Sequence, residues 1–400
     1  MVGSETRYQA FLEALGKDQL RRELTSVDAR DARSLQVGGQ AYVNFASNDY
    51  LALRFHEALI ARSVEWAGRY GTGSGASRLV TGNLDLFEPI EAKVATLKQK
   101  PAALLMASGF QANASVLQAL FDRSVLGAEP LVFADRLNHA SMHFGCKAAG
   151  VHQTRYRHGD AAHLAELMTQ SQEDALARSR PKFILTESVF SMDGDVAPLD
   201  EIAALARAND ATLIVDDAHA TGILGEGGRG LSDGADIVIG TFSKALGSFG
   251  AYVACTPTVR VYLINRCSGF VYATALPPTV LGAIDAALDL VPDMDEARAH
   301  VANMATRFRA GAQKLGFNTG ASATQIVPLI VGTADAALSL SAELREAGFW
   351  ATAIRPPTVP QGTARVRLAF TAAHDDADID RLLEVLSDCG ASKAAKAATS

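Results

Sequence analysis

The sequence contains little cysteine, no long apolar run and no excess of positive charge. Its four cysteines are scattered without a CxxC pair, at Cys146, Cys255, Cys267 and Cys389. This usage is typical of free thiols in a reducing cytoplasm. No apolar run is long enough to cross a bilayer, and residues 1–24 lack the apolar core of a signal peptide. A formal net charge of -7 disfavours nucleic acid or an anionic membrane as the main partner, so we expect neither. The cysteine usage leads us to expect a cytoplasmic protein.

Short apolar runs alternate with helix-like stretches from about residue 100 onward. The 400 residues are 48% hydrophobic and 20% charged, which predicts a globular protein of more than one domain. The runs are continuous rather than alternating: AALLMAS, PLVFAD, KFILTES, TLIVDD, DIVIGTFS and AYVACT. Such runs are typical of strands buried on both faces, so we predict a largely parallel sheet covered by helices.

Both ends of the chain differ from this central pattern. Residues 7–24 carry Tyr8, Phe11, Leu12 and Leu15 at helical spacing and predict an amphipathic helix. Near the other end, TQIVPLIVGT, FWATAI and ARVRLAF predict strands and DAALSLSAELREAG a helix. The alternation of arginine and apolar residues in ARVRLAF predicts a half-exposed sheet with helices on one face. We predict an N-terminal helix and arm (1–45), a large domain (46–285), a small α+β domain (286–390) and a disordered tail (391–400).

Three patterns are weak indications of function. GEGGRG, at residues 225–230, has the spacing of a dinucleotide-binding loop, but it follows a polar stretch and leads into another turn, so we predict a plain glycine turn. GTGSGAS, at residues 71–77, lacks the GK[ST] of a phosphate-binding P-loop. His139 and His143 are four residues apart, as zinc ligands can be, but no third ligand or HExxH glutamate is nearby. We therefore predict no metal site.

Four other stretches place polar residues at the ends of predicted strands. The stretch TLIVDDAH contains Asp216 and His219, and ASGFQAN contains a predicted helix start at Gly109 and Phe110. LNHASMH contains His139, and GTFSKALG contains Thr241, Ser243 and Lys244. Taken singly, these could be a helix cap, surface histidines or a lysine with its charge in solvent. Together they are the groups that hold an aromatic aldehyde phosphate: an imine-forming lysine, an acid for a pyridine nitrogen and N–H groups for the phosphate.

These stretches and others resemble the α-oxoamine synthases, a group of fold-type I pyridoxal phosphate (PLP) enzymes. The motifs occur in the family's order over nearly the whole chain: NFASNDYLAL, GTGSGASRLVTGN, SGFQAN, LNHASM, ESVFSMDGDVAPL, DDAHATGILGEGGRG and TFSKALG. The resemblance implies an α/β fold in which the large domain binds PLP on a mostly parallel seven-stranded sheet and a smaller α+β domain follows. It also implies a homodimer with active sites at the interface.

The resemblance further implies roles for individual residues around the cofactor. Lys244 would bind PLP as an imine and later move the substrate Cα proton, and Asp216 would pair with the pyridinium nitrogen. His139 would stack on the ring and donate a proton, with His219 and Ser191 near the phenolic oxygen. The phosphate ligands would be the N–H groups of Gly109 and Phe110 with Thr241, and Thr274 would reach the phosphate of the neighbouring subunit.

The C-terminal stretch WATAIRPPTVPQGTARVRL narrows the implied substrates. It is similar to family members that condense L-alanine with a pimeloyl thioester, on coenzyme A or an acyl carrier protein, with loss of CO2 in biotin synthesis. Arg355 would bind the amino acid carboxylate, Thr358 and Arg21 would lie on the acyl-donor side, and Asn48 near the substrate. The alternatives are an α-oxoamine synthase that uses glycine or serine, a non-catalytic partner subunit, and a metal-dependent hydrolase that uses His139 and His143.

Overall fold

The computed structural model describes residues 3–18, 20–173 and 179–398, with side chains through Cys389. The chain divides into two compact units. The large unit comprises residues 48–191 and 195–299, and the small unit comprises residues 1–47, 192–194 and 300–400. Among the described residues, no helix combines the length and apolar character needed to cross a bilayer.

Helices and strands alternate along most of the chain. The helices are α1 (Gly3–Lys17), α2 (Glu57–Tyr70), α3 (Phe87–Leu97), α4 (Gly109–Leu120), α5 (Arg123–Leu126), α6 (Ala140–Ala148), α7 (Ala161–Glu173), α8 (Leu199–Ala208), α9 (Pro257–Arg266), α10 (Ser268–Val271), α11 (Pro278–Leu290), α12 (Asp295–Lys314), α13 (Ala334–Glu346) and α14 (Asp376–Ala398). The strands are β1 (Ser34–Val37), β2 (Gln40–Asn44), β3 (Ala102–Met106), β4 (Leu131–Asp135), β5 (Gln153–Tyr156), β6 (Lys182–Glu187), β7 (Ala211–Asp216), β8 (Ile237–Thr241), β9 (Ala251–Cys255), β10 (Ile326–Gly332), β11 (Phe349–Trp350), β12 (Thr352–Ile354) and β13 (Ala364–Ala369).

The large unit is built on a seven-stranded sheet in the order β3-β9-β8-β7-β6-β4-β5. The pairs from β8 to β5 are parallel, whereas β9 is antiparallel to both β8 and β3. The strand β3 therefore runs in the same direction as the parallel strands. As a result, the carboxyl ends of six strands meet at one edge, where open α/β sheets bind their ligands. The predicted mostly parallel seven-stranded sheet is confirmed.

The core of the large unit explains why its strands are continuous apolar runs. Leu104, Ile239 and Val253 from the sheet are buried in one cluster with Val116 from α4 and Met142 from α6. Both faces of the strands are covered, so alternation with polar residues is excluded. Full burial of each such side chain contributes about 1.5–3 kcal/mol.

The glycine-rich stretch at residues 225–230 forms a turn, as predicted, and packs against buried charge. A Cβ on Gly225 would lie 2.1 Å from the Gly230 carbonyl oxygen. Gly230 has a φ of +89°, and a Cβ there would lie 1.8 Å from Oδ2 of Asp217. Asp217 is itself buried and bonded to Lys98 over 2.5 Å. The glycines are therefore required by close packing within the unit.

The small unit contains two three-stranded sheets, β1-β2-β11 and β10-β13-β12. The half-exposed sheet predicted from ARVRLAF is wrong for β13, because all six of its residues are buried. Arg365 is only 3% exposed, and its guanidinium pairs with Asp193 and donates to the Met192 carbonyl. The alternating pattern predicted that this arginine faces solvent. Its buried polar partners allow it to lie inside the small unit.

Several predicted boundaries differ from the structure. The helix predicted over residues 7–24 ends at Lys17, where the N–H groups of Leu20 and Arg21 bond to the Leu15 carbonyl. The boundary predicted after residue 285 falls inside α11, whose Asp285 pairs with Lys93 of α3 over 2.5 Å. The predicted N-terminal arm contributes β2, which pairs with β11 in the small unit. The tail predicted as disordered is helical through Ala398, and residues 399–400 lie outside the described residues.

Candidate active site

A cavity of about 240 Å³ lies where the strands of the large unit end. Twelve of the fourteen residues that line it belong to the strand-end stretches identified from the sequence: Ser108, Gly109, Phe110, Asn113, His139, Asp216, Ala218, His219, Gly240, Thr241, Ser243 and Lys244. The register explains this convergence, because Glu187 at the end of β6 pairs with Asp216 at the end of β7, which in turn pairs with Ile239 of β8. Residues remote in sequence are thus aligned along one sheet edge.

Asp216 supplies a buried carboxylate to this cavity. Its side chain accepts a hydrogen bond of 2.6 Å from the Asn113 amide and one of 3.0 Å from the Ala218 N–H. The residue is 7% exposed. A buried carboxylate must be hydrogen-bonded or paired with a positive group, and these two donors orient it. It is therefore suited to pair with a protonated ring nitrogen in the cavity.

His219 is fixed by a chain of hydrogen bonds in the large unit. Its Nδ1 lies 2.7 Å from the Tyr50 hydroxyl, and that hydroxyl also lies 3.2 Å from Oδ1 of Asn48. Asn48 was predicted to lie near the substrate. The structure connects Asn48 to the cavity through Tyr50 and His219. Tyr50 was not identified from the sequence, although it lies within the quoted motif NFASNDYLAL.

The amino end of α4 faces the same cavity. Ser108 caps the helix, because its hydroxyl accepts a hydrogen bond of 3.3 Å from the Gln111 N–H. The N–H groups of Gly109 and Phe110 lie in the first turn, where no intrahelical acceptor is available. A Cβ on Gly109 would lie 3.7 Å from that of Thr241, which brings this helix end close to the end of β8. The arrangement offers N–H groups and hydroxyls to an anion.

Lys244 is half-buried and follows β8 in a tight turn. The Gly247 N–H donates to the Lys244 carbonyl over 2.9 Å, and Gly247 has a φ of +63°. Phe242 before the lysine and Ala245 and Leu246 after it are fully buried, which anchors the backbone on either side of the lysine. The turn therefore presents the lysine to the cavity rather than to the core.

His139 and Glu187 are titratable groups whose pKa values shift in opposite directions. Burial lowers the pKa of His139 below its ordinary value; Asp216 opposes this shift, and Lys244 adds to it. Burial raises the pKa of the Glu187 carboxyl well above its ordinary value, and the charge of Asp216 adds to the effect. Both shifts favour the uncharged forms of these two groups beside the Asp216 carboxylate.

Asn113 and Glu187 were not predicted as site residues. Glu187 has a detectable signal, because it is the last residue of an apolar run, as Asp216 is. Asn113 is the last residue of the quoted motif SGFQAN, but only the tertiary fold directs its amide towards Asp216. The other lining residues not named from the sequence are Ala218, Ile239 and Gly240, whereas Ser243 was named with Thr241 and Lys244.

Besides Asn48, five of the predicted site residues lie outside the lining of this cavity. Ser191 is half-buried in the loop after β6, and Thr274 forms a bridge with Ser77. In the small unit, the Arg355 guanidinium donates to the Arg21 carbonyl over 3.4 Å. The Arg22 guanidinium donates to the Thr358 hydroxyl over 2.9 Å, and Arg22 was not predicted. The small unit therefore brings Arg21, Arg355 and Thr358 into one neighbourhood.

The histidine pair considered as a zinc site has other contacts. Nδ1 of His143 lies 2.7 Å from the Gln153 side-chain oxygen, whereas Nδ1 of His139 lies 2.6 Å from the Ser141 hydroxyl. Within the described ranges, no group of three or more His, Cys, Asp or Glu side chains is arranged to hold a metal ion.

The residues around the cavity fit PLP by their chemistry. A buried carboxylate can pair with the ring nitrogen, a lysine amine can bind the aldehyde, and a helix start with hydroxyls can bind the phosphate. The fold and this site define the class: a fold-type I PLP-dependent transferase.

The family is shown by comparison with known proteins. The model of the family "Aminotransferase class I and II" matches residues 40–386. An 8-amino-7-oxononanoate synthase of Gluconacetobacter diazotrophicus is 54% identical over 386 residues, which cover 95% of this chain and 96% of that protein. The chain therefore belongs to the 8-amino-7-oxononanoate synthase family, within the aminotransferase class I and II proteins. The resemblance to this group seen in the sequence is confirmed.

Solved structures agree with the fold. A serine palmitoyltransferase variant from S. paucimobilis, solved with PLP and myriocin bound, superposes with a TM-score of 0.88 at 23% identity and covers 98% of each chain. An 8-amino-7-oxononanoate synthase from Francisella tularensis superposes with a TM-score of 0.73 at 27% identity, over 87% of this chain and 97% of that one. The predicted fold class is confirmed.

Proposed function

We propose that this chain uses PLP to condense L-alanine with a pimeloyl thioester, giving 8-amino-7-oxononanoate, CO2 and the free thiol carrier in biotin synthesis. The observation that carries the proposal is the placement of the Asp216 carboxylate. This buried group accepts a hydrogen bond from Asn113 and lines the same cavity as Lys244. When bound, PLP supplies an electron sink for negative charge at the substrate Cα. Asp216 would maintain the charge on the ring nitrogen on which this sink depends.

The chain's own residues then bind the substrate and move protons. Lys244 would hold the aldehyde of the cofactor and would take the Cα proton of alanine. His139 would face the ring and donate a proton during condensation, and Glu187 lines the same cavity. Gly109, Phe110 and Thr241 would hold the phosphate. A positioned acid or base of this kind contributes about a hundredfold or more to the rate.

We propose that Arg355 binds the amino acid carboxylate as a bidentate partner and that Arg21 and Thr358 bind the acyl donor. The proximity of these three residues within the small unit supports this assignment. We also propose that a second copy of the chain takes part in the site: Ser191 would contact the ring oxygen, and Thr274 would reach the phosphate of the partner subunit. Exposed apolar side chains on α1, Tyr8 at 68% and Phe11 at 63%, support a homodimer.

The visible absorbance of the purified protein, titrated with PLP, L-alanine and then glycine, tests the reaction. We expect a yellow protein whose band shifts with alanine and, with a pimeloyl thioester, releases CO2. Lys244→Ala should lose both the band and turnover, whereas Lys147→Ala, at an exposed position on α6, should keep both. A preference for glycine would favour another α-oxoamine synthase. Unchanged turnover in Lys244→Ala would refute the scheme.

The oligomeric state and location have separate tests. Light scattering should give the mass of a dimer, and a fully active monomer would contradict shared active sites. Cys146, Cys255 and Cys267 are buried free thiols, which supports a reducing compartment such as the cytoplasm. Fractionation of the producing cells should recover the protein with cytoplasmic markers.

A further inference from the structure

A histidine outside the cavity bridges two carboxylates in the large unit. Nδ1 of His158 lies 3.0 Å from Oδ1 of Asp135, and Nε2 lies 2.8 Å from Oδ2 of Asp195. The three side chains are 18%, 1% and 14% exposed, respectively. The ring of Phe190 meets the imidazole edge-on at a centroid distance of 4.3 Å. None of these residues lines the cavity described above.

The geometry defines the protonation of His158. Carboxylates only accept hydrogen bonds, and a neutral imidazole has a single N–H. Bonds to carboxylates at both ring nitrogens therefore require the doubly protonated ring. Burial alone would lower the pKa of His158, but the bonds and charges of Asp135 and Asp195 outweigh it and raise the pKa to about 10.

Each of the two aspartates holds a loop that carries a predicted site residue, Asp135 through its carboxylate and Asp195 through its main-chain carbonyl. Asp135 ends β4 and accepts the Leu137 N–H over 2.9 Å, at the start of the loop that leads to His139. The same carboxylate accepts the Gly159 N–H over 2.9 Å, which fixes the backbone beside His158. The loop is thus held from both sides before it reaches the cavity.

Asp195 closes the loop that contains Ser191. Its carbonyl accepts the Phe190 N–H over 3.1 Å, and Val189 pairs with Val196 in an antiparallel bridge. One carboxylate oxygen of Asp195 receives the Nε2–H of His158. A single cation therefore connects the loop of His139 to the loop of Ser191.

We propose that His158, as a permanent imidazolium, is a positioning residue that holds the His139 and Ser191 loops at a fixed separation and so sets the orientation of both side chains. The inference rests on the proposed function, because His139 and Ser191 are assigned there to the ring face and ring oxygen of PLP. Without the imidazolium, two carboxylates would face each other without a counter-charge, and the loops would separate.

The first test requires neither activity nor cofactor. Nitrogen NMR of the histidine-labelled wild-type protein, with the His158 signal assigned by its loss in His158→Gln, should show both ring nitrogens protonated up to about pH 9. A His158 signal that titrates near neutral pH would overturn the proposal, whatever reaction the protein catalyses.

The second test measures positioning in the PLP-loaded protein. His158→Gln should weaken PLP binding and lower kcat by about tenfold each, the effect of losing one charged hydrogen bond. KM for alanine should change little, because Arg355 is not involved. Ser191→Ala should have a smaller additional effect in the His158→Gln background than in the wild type, since the loop is already displaced. His152→Gln, at an exposed position, is the matched control and should resemble the wild type.

The outcomes separate this proposal from the proposed function. If His158→Gln lowers only thermal stability and leaves PLP affinity, kcat and the Ser191 coupling unchanged, His158 is merely structural and the proposal is wrong. If the wild type shows no visible band with PLP, the proposed function fails instead, and the NMR titration still decides the protonation of His158.

Discussion

The side-chain amide of Asn113 donates to the Asp216 carboxylate over 2.6 Å and to the Ser141 hydroxyl over 3.0 Å. Both hydrogens of the amide are therefore used inside the large unit. The contact connects one turn of α4 to the end of β7 and to the first turn of α6. Asn113, which has no acid–base chemistry of its own, thus orients the Asp216 carboxylate.

Replacement of Asn113 should weaken cofactor binding. Asn113→Ala removes a hydrogen bond to a charged group, which is worth about 1.5–3 kcal/mol, so the Kd for PLP should rise at least tenfold. Absorbance titration of the cofactor-free protein measures this. Asn265→Ala, at an exposed position in α9, should keep the wild-type Kd. Equal affinity in both variants would mean that Asn113 does not support Asp216.

Replacing the carboxyl group by an amide should lower kcat much less at Glu187 than at Asp216. Burial raises the pKa of Glu187 and so favours its neutral form, which Glu187→Gln resembles in charge and shape, so kcat should stay within about threefold of the wild type. Asp216→Asn removes a required charge and should lower kcat by a hundredfold or more. Steady-state assays at about pH 7.5 compare them. A large loss in Glu187→Gln would show that Glu187 acts as a carboxylate.

The strand ends could be predicted because apolar runs and the polar residues that follow them are local signals. All six central runs became strands, from β3 to β9, and they brought Asp216, His219 and Lys244 to one edge. The strand β5 was missed because its four residues, QTRY, are short and mostly polar at the edge of the sheet. Edge strands need little apolar surface, so periodicity does not mark them.

What could not be predicted depends on contacts between distant residues. Arg365 looked solvent-facing because its partner Asp193 lies far away in the sequence. His158 lies in a polar turn, YRHGD, and only the fold places carboxylates at both of its nitrogens. Lys98 follows α3 and could not be distinguished from a surface lysine before Asp217 was located. Buried charge is consistently underestimated from sequence because its partner is non-local.

Lys98 should be essential for the stability of the large unit. Its ammonium and the Asp217 carboxylate are about 1% and 0% exposed and lie 2.5 Å apart. Lys98→Met leaves Asp217 buried without its counter-charge, which should lower the free energy of unfolding by about 3–5 kcal/mol. Urea unfolding monitored by circular dichroism measures the loss. Lys147→Met, at an exposed lysine, should change stability by less than about 0.5 kcal/mol.

His374 should make the small unit sensitive to mild acid. The ring is buried, stacks on Phe45 at 4.1 Å, accepts the Thr371 N–H over 3.1 Å through Nδ1 and donates through Nε2 to the Asn44 carbonyl over 3.1 Å. These bonds fix a neutral tautomer. Burial lowers the pKa of His374 to about 4, although Asp378 opposes the shift.

The sign of the pH dependence follows from this depressed pKa. The unfolded chain binds the His374 proton near pH 6.5, whereas the folded chain resists it until about pH 4, so stability is complete above pH 6.5 and is lost as the pH falls through this window. The loss should approach roughly 3 kcal/mol at the acid end. Urea unfolding at several pH values between about 7.5 and 4.5 should show this slope in the wild type and in His152→Gln, because His152 is exposed. His374→Gln should be less stable at pH 7.5 and should lack the slope, since glutamine does not titrate. A slope that persists in His374→Gln would assign the acid sensitivity to another group.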